Sequence, residues 1–159
     1  MRAAVLTVSD GVARGEREDA SGDLLAELLA DDGYEVERRI VPDDRHAIAV
    51  ALQEVARGAP LVLTTGGTGL APRDVTPEAT LEVLDRNAPG IAEALRADSF
   101  AKTPHGLLSR GVAGTVGPTL VVNLPGSPGA CRDGYELLRH ALAHALELLA
   151  DQATTHLQT

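Results

Sequence analysis

Apolar residues fall along the chain in two patterns. Two runs are continuous and β-rich, "AAVLTVS" at 3–9 and "LVLTT" at 61–65. They lack the polar alternation of a half-exposed strand, which predicts strands buried on both faces. "YEVERRIV" at 34–41 predicts a further strand between them. The intervening segments carry helical spacing. Leu25, Leu28 and Leu29 share a face in "DLLAELLADDG" (23–33), with Gly33 where a C-terminal cap belongs. "PDDRHAIAVALQEVARG" predicts a helix from Asp43 or Asp44, both suitable N-caps, to Gly58. "TPEATLEVLDRN" (76–87) predicts a helix with Thr76 as N-cap and Pro77 at the first helical position, and "PGIAEALRADS" (89–99) predicts another. "VAGTV" and "TLVVNL" read as strands separated only by Gly117-Pro118. A long helix is expected from about Ala130 to Ala150, with Leu138, Ala141, Leu142, Ala145 and Leu149 on one stripe. "DGVARGEREDASG" (10–22) reads as a glycine-punctuated loop, and "DQATTHLQT" (151–159) as a frayed tail.

Strands alternating with helices predict an α/β domain over 1–150, a mostly parallel sheet with helices on both faces. The Gly117-Pro118 connection is too short for a parallel crossover, so its two strands should form an antiparallel pair near the C-terminal end.

Composition narrows the function. The 159 residues are 44% hydrophobic and contain no apolar run of about 18, so no transmembrane helix is expected. The N-terminus has no basic region beyond Arg2 and reads as a core strand, not a signal peptide. A single cysteine, Cys131, cannot form an internal disulfide framework, and a cytoplasmic location fits. The net charge is −9, and Lys102 is the one lysine. With Tyr34, Phe100 and Tyr135 as the only aromatics, there is neither a basic stripe nor a stacking surface for nucleic acid. An anionic small molecule remains accessible through backbone N–H groups, a few arginines or a metal ion.

Ligands of open α/β sheets bind beyond the carboxyl ends of the strands. There this chain places "SDG" (Ser9, Asp10), "PDD" (Asp43), "TGGTG" (65–69) and "NLPGSPG" (123–129). Gly66, Gly67 and Gly69 allow close backbone approach and present successive N–H groups as an anion cradle, with Thr68 adding a hydroxyl. The pattern is neither the dinucleotide fingerprint nor a P-loop. Arg73 is suited to clamp phosphate in bidentate fashion. Asp74 beside that anion calls for a cation, and Mg²⁺ is the usual one.

"VSDG…GEREDASG", "VPDD", "TTGGTGLAPRDVTPEAT", "LLSRGVAG" and "LVVNLPGSPGA" together resemble the molybdopterin adenylyltransferases, the Mog/MoaB-like family of molybdenum cofactor biosynthesis, over nearly the whole chain. The resemblance implies Mg²⁺-dependent transfer of AMP from ATP to molybdopterin, on a three-layer α/β/α domain assembled as a trimer or hexamer, with a molybdotransferase acting downstream. It places the catalytic, metal-holding aspartates at Asp43 and Asp74. Gly66 to Gly69 and Pro125, Gly126 and Ser127 are then candidate cradles for the two anions. Ser9, Asp10, Ser109 and Arg110 are further candidates for pterin or nucleotide contacts. Which cradle takes which substrate stays open. A binding-only carrier and a nucleotide pyrophosphatase are the alternatives, and Arg73 before Asp74 disfavours the latter. Asp19 and Ser21 match the family's D-x-S-G within the charged run "EREDA" (16–20), which otherwise reads as a solvated loop. His140 and His144 have i, i+4 spacing, but Ala141 stands where the zinc-protease pattern needs Glu, so they read as helix-surface residues. Cys131 reads as a small buried residue.

Overall fold

A computed structural model describes the backbone of residues 1–156 and the side chains as far as Asp151. The elements are β1 (Arg2–Val8), α1 (Asp10–Ala13), α2 (Ala20–Asp31), β2 (Glu35–Val41), α3 (Arg45–Ala56), β3 (Leu61–Thr65), α4 (Thr76–Val83), β4 (Arg86–Asn87) and α5 (Pro89–Lys102). A 3₁₀ turn (Pro104–Leu108), β5 (Ala113–Val116), β6 (Thr119–Leu124) and α6 (Pro128–His156) follow. The six strands form one sheet in the order β2-β1-β3-β6-β5-β4. β1 pairs in parallel with β2 and β3, and β3 in parallel with β6. β5 runs antiparallel to β6 through the Gly117-Pro118 turn, and β4 antiparallel to β5, so the expected mixed topology is present.

The continuous apolar runs are the central strands. Every residue of β3 is buried, as are six of the seven in β1. Successive side chains in a strand point to opposite faces. Accordingly Ala3 and Val5 join Leu25, Leu29, Tyr135, Leu138 and Leu142 in a core under α2 and α6. Ala4, Leu6 and Val8 join Ile48, Leu52, Val55 and Ala79 in a second core under α3 and α4. Helices thus cover both faces, giving three layers. Among the described residues no helix is long and apolar enough to cross a membrane.

Several local expectations change. The 10–22 segment is not all loop: Ser9 caps a short α1, its Oγ accepting from Val12 N–H at 3.2 Å. Asp19 caps α2, which begins at Ala20 because its Oδ1 accepts from Gly22 N–H at 3.1 Å. Thr76 is the first helical residue of α4 and not its cap; Val75 occupies the cap position, and Thr76 Oγ1 donates to Gly66 O at 2.9 Å. α4 ends at Val83 and β4 replaces the rest of the expected helix. On α6 the buried stripe includes Leu146 while Ala141 is exposed, and the helix runs on to His156. Of the tail expected to fray, residues 157–159 lie outside the described residues.

Candidate active site

The chain runs from β1 to β2 on one side of it and then returns to β3 on the other, so the strand order reverses between β1 and β3. Ligands bind at such a switch point. The carboxyl ends of the two strands lead into Ser9-Asp10 and Gly66-Gly67, side by side.

Gly66 and Gly67 have φ of 96° and 68°, a region open to glycine and costly for other residues. A Cβ on Gly66 would lie 2.2 Å from Val8 O, and one on Gly67 2.3 Å from Thr76 Oγ1. The glycines therefore let the β3 loop fold back against β1 and α4. Gly67 also lies against the cleft: its Cβ would stand 3.3 Å from Asp43 Oδ1. A Cβ on Gly69 would come within 2.9 Å of Asp74 Oδ2. Both aspartates therefore border the same glycine loop.

Asp10 and Asp43 are joined reciprocally. Asp10 N–H donates to Asp43 Oδ2 at 2.9 Å, and Asp43 N–H to Asp10 Oδ1 at 3.1 Å. Burial raises the Asp43 carboxyl above its ordinary value, and the charges of Asp10 and Asp74 push the same way. Asp74 Oδ2 accepts from Ala71 N–H at 3.1 Å. Asp10 moves in the opposite direction, because the Arg73 guanidinium beside it holds its carboxyl low.

Arg73 and Arg110 form two braces. Arg73 forks onto Asp10, Nε to Oδ2 at 2.6 Å and Nη2 to Oδ1 at 3.0 Å, and Nη2 also reaches Asp43 O at 3.1 Å. It ties the loops after β1, β2 and β3 together. Arg110 grips the glycine loop. Its backbone N–H donates to Thr68 O at 2.8 Å, Nε to Gly69 O at 2.8 Å and Nη2 to Asp74 O at 2.7 Å, while Nη1 pairs with Glu78.

Two cavities meet at this loop. One, about 500 Å³, is bordered by Ser9, Asp43, Gly66, Asp74 and Ser127, with Arg17, Glu18 and Asp19 of the charged run on its rim. The other, about 570 Å³, lies beyond Thr68 and Gly69 and takes in Ser109 and Pro125. Gly67, Asp74, Gly126 and Ser127 border both. Of the residues singled out from sequence, those flanking the glycines and prolines therefore converge on one cleft. Asp10, Arg73 and Arg110 stand behind it: none lines either cavity, and each holds a residue that does.

Asp19 and Ser21 also line the first cavity, and both are tied into the fold. Asp19 accepts from Thr7 Oγ1 at 2.9 Å and pairs with Arg38 at 2.6 Å, while Ser21 Oγ accepts from Thr65 Oγ1 at 3.0 Å. Cys131 is fully buried against Pro125 O at 3.0 Å, and burial pushes its thiol up to about 11. His140 and His144 are exposed. Residues absent from the sequence reading also line the cleft, Thr103, His105 and Gly106 from the 3₁₀ region. Nothing in the segment's apolar pattern marks it; only its position after α5 brings it there.

The match to a family model covers residues 4–144, and that family is described as "Probable molybdopterin binding domain". The chain is 40% identical over 153 residues to the molybdopterin adenylyltransferase of Pyrococcus furiosus, covering 90% of each. It is 38% identical over 154 residues to the molybdenum cofactor synthesis protein cinnamon of Drosophila melanogaster, covering 94% of this chain. The chain spans only 26% of that relative's length, and 48% of a bifunctional relative's. The crystal structure of the molybdopterin biosynthesis enzyme MoaB from Thermus thermophilus superposes with a TM-score of 0.87 at 50% identity, covering 93% of this chain and 95% of that one. The chain belongs to the molybdopterin-binding domain family of molybdenum cofactor biosynthesis.

Proposed function

We propose that this protein transfers AMP from ATP to molybdopterin, releasing pyrophosphate. The observation that carries the reading is the meeting of Asp43 and Asp74 in one cleft between two loops able to cradle anions, Gly66–Gly69 and Pro125–Ser127. A phosphate oxygen of molybdopterin attacks the α-phosphorus of ATP. A new P–O bond forms, the α–β P–O bond breaks, and pyrophosphate leaves with the electron pair. Positioning and charge compensation supply most of the catalysis in phosphoryl-group chemistry. The backbone N–H groups of the β3 loop and the Ser127 loop hold the two anions in line, and the two arginine braces hold the loops.

The residues fit Mg²⁺. Asp43 is raised by burial and by the neighbouring carboxylates, an environment that a cation relieves. Among the described residues no group of three or more metal-ligating side chains is gathered. Mg²⁺ suits such a place, since it commonly binds through one or two carboxylates together with substrate phosphates. Asp43 and Asp74 would hold it, and bound there it would neutralise charge between the phosphates. Assembly as a trimer or hexamer in the cytoplasm belongs to the same reading, and exposed Leu70, Phe100 and Leu107 offer apolar surface for it.

The test is incubation with molybdopterin, ATP and Mg²⁺, with the product mass read out. Adenylyl-molybdopterin should appear, and Asp74→Asn should slow its formation by roughly 10²-fold or more if electrostatic stabilisation dominates. Binding of molybdopterin without any adenylylated product would leave a carrier instead.

A further inference from the structure

The charged run that follows α1 comes back over that helix. Alanine is the better helix former, so the glycine inside α1 calls for a spatial reason. Gly11 has one. A Cβ there would lie 2.7 Å from Arg17 Cδ and 3.2 Å from Arg17 Cγ, so the stem of Arg17 rests on bare backbone. The chain reaches this position by turning at Gly15, whose φ of 73° suits glycine. Glu16 N–H and Arg17 N–H both donate to Gly11 O, at 2.9 and 3.3 Å, and fix the return. Both glycines of "SDGVARGERED" (9–19) thus serve to place one arginine on the rim of the cleft.

Arg17 differs from the other arginines around the site. Arg73 is committed to Asp10, Arg110 to Gly69 O and Asp74 O, and Arg38 to Asp19 and Asp23, both at 2.6 Å. Among the described residues Arg17 takes part in no ion pair, in a chain with a net charge of −9. Among the same residues it is also the one arginine or lysine that borders either cavity of the cleft. The Ser9 cavity is otherwise lined with the carboxylates of Glu18, Asp19, Asp43 and Asp74. A guanidinium offers five donors in a fork that fits phosphate oxygens. An anionic group entering this cavity therefore finds one side chain built to receive it.

Resting on the function proposed above, we propose that Arg17 takes the pyrophosphate leaving group of ATP. When the α–β P–O bond breaks, its electron pair goes to the bridging oxygen, which departs on the β-phosphoryl group. Negative charge then grows away from the attacked α-phosphorus, in a cavity lined by carboxylates. A guanidinium held there stabilises that charge as it develops, and no proton has to move. Asp43 is half-buried and Arg17 exposed, so pyrophosphate held by Arg17 has a direct way out to solvent.

The test measures the binding of AMP, ATP and inorganic pyrophosphate, each with Mg²⁺, by calorimetry on the full chain. Arg17→Met keeps a stem on Gly11 and removes every side-chain donor. It should weaken pyrophosphate and ATP roughly tenfold, the scale of one hydrogen bond to a charged group, and leave AMP affinity and the melting temperature unchanged. Arg17→Lys keeps the charge and should recover part of the loss. Gly11→Ala keeps Arg17 but drives its stem aside. It should weaken pyrophosphate in the wild-type background and change nothing further beside Arg17→Met, a coupling that a merely structural role would not produce. Equal pyrophosphate affinity in wild type and a folded Arg17→Met protein overturns the assignment and leaves the transferase standing. AMP weakened as much as pyrophosphate overturns it too, by moving Arg17 to the α-phosphate or the nucleoside. So does a loss confined to molybdopterin, which gives Arg17 to the other substrate. A wild-type protein that binds neither ATP nor pyrophosphate overturns the proposed function together with this role.

Discussion

Arg110 should be worth several kilocalories to the fold and should act on one loop. Arg110→Met removes two guanidinium bonds to backbone carbonyls, Gly69 O at 2.8 Å and Asp74 O at 2.7 Å, and the pairing with Glu78. Bonds with one charged partner contribute about 1.5–3 kcal/mol each. Arg110 and Glu78 are 34% and 37% exposed at the side chain, so solvent screening cuts these values and the ion pair itself adds under about 1 kcal/mol. The sum is a loss of about 2–4 kcal/mol. Part of it reflects Glu78, whose Oε2 is buried without a hydrogen-bond partner and loses its counter-charge. The pairing has a pH signature. Burial pushes the Glu78 carboxyl up, but Arg110 outweighs it and the folded value ends below the ordinary 4.5. The contribution is therefore complete above 4.5 and is lost as pH falls through the folded value. Urea unfolding at neutral pH measures the loss, a double-mutant cycle with Glu78→Gln isolates the pair, and hydrogen exchange localises it to the Thr68–Asp74 amides. A loss below about 0.5 kcal/mol, within the range of ordinary surface substitutions, with unchanged exchange in that loop, would refute the brace.

Four other outcomes follow from the same geometry. Gly67→Val should destabilise the fold as well as the site, because its Cβ would meet Thr76 Oγ1 at 2.3 Å at a φ of 68°. Gly126→Val, whose Cβ would meet only Gly66 Cα at 3.5 Å, should keep its melting temperature and weaken Mg²⁺-ATP in calorimetry. Cys131, buried and with its thiol raised to about 11, should react with a thiol reagent only on unfolding, as a stopped-flow trace with and without denaturant would show. Asp43→Asn should melt no lower than wild type at neutral pH while losing Mg²⁺-dependent ATP binding. The raised Asp43 carboxyl favours the protonated form, so the ionised form present at neutral pH opposes folding.

Most of the fold was legible because its strongest signals are local. The unalternating runs of β1 and β3 announced two-sided burial, and the two-residue Gly117-Pro118 link forced the antiparallel pair. Gly33, with φ of 87°, ends α2 as its position suggested. The failures are places where a tertiary partner outweighed a local preference. Thr76 is a good N-cap by type, yet its hydroxyl donates across to Gly66 O and leaves the cap position to Val75. Asp19 looked like part of a solvated charge run, but Thr7 and Arg38 fix it where its carboxylate can start α2 early.

The same reasoning explains what the motif "GGTGLAPRDVTPE" does. Its glycines and aspartate were read from sequence as facing a ligand, and Gly67 and Asp74 do border the cleft. Arg73 is the immediate neighbour of Asp74, and adjacency alone invited a reading in which both act on the same phosphate. Neighbours in a turn point in different directions, however, and the structure separates them. Asp74 borders the cleft, whereas Arg73 turns outward to Asp10 and so fixes the Asp43 loop behind it. Under the proposed function, an acidic protein that brings two anions together cannot line its cleft with carboxylates and leave them free to move. Each aspartate at this cleft is accordingly backed by an arginine outside it, Arg73 at the Asp43 loop and Arg110 at the Asp74 loop. The cationic side chains of the motif regions set the positions of the carboxylates, and in the proposed function the glycine backbone is left to meet the ligand.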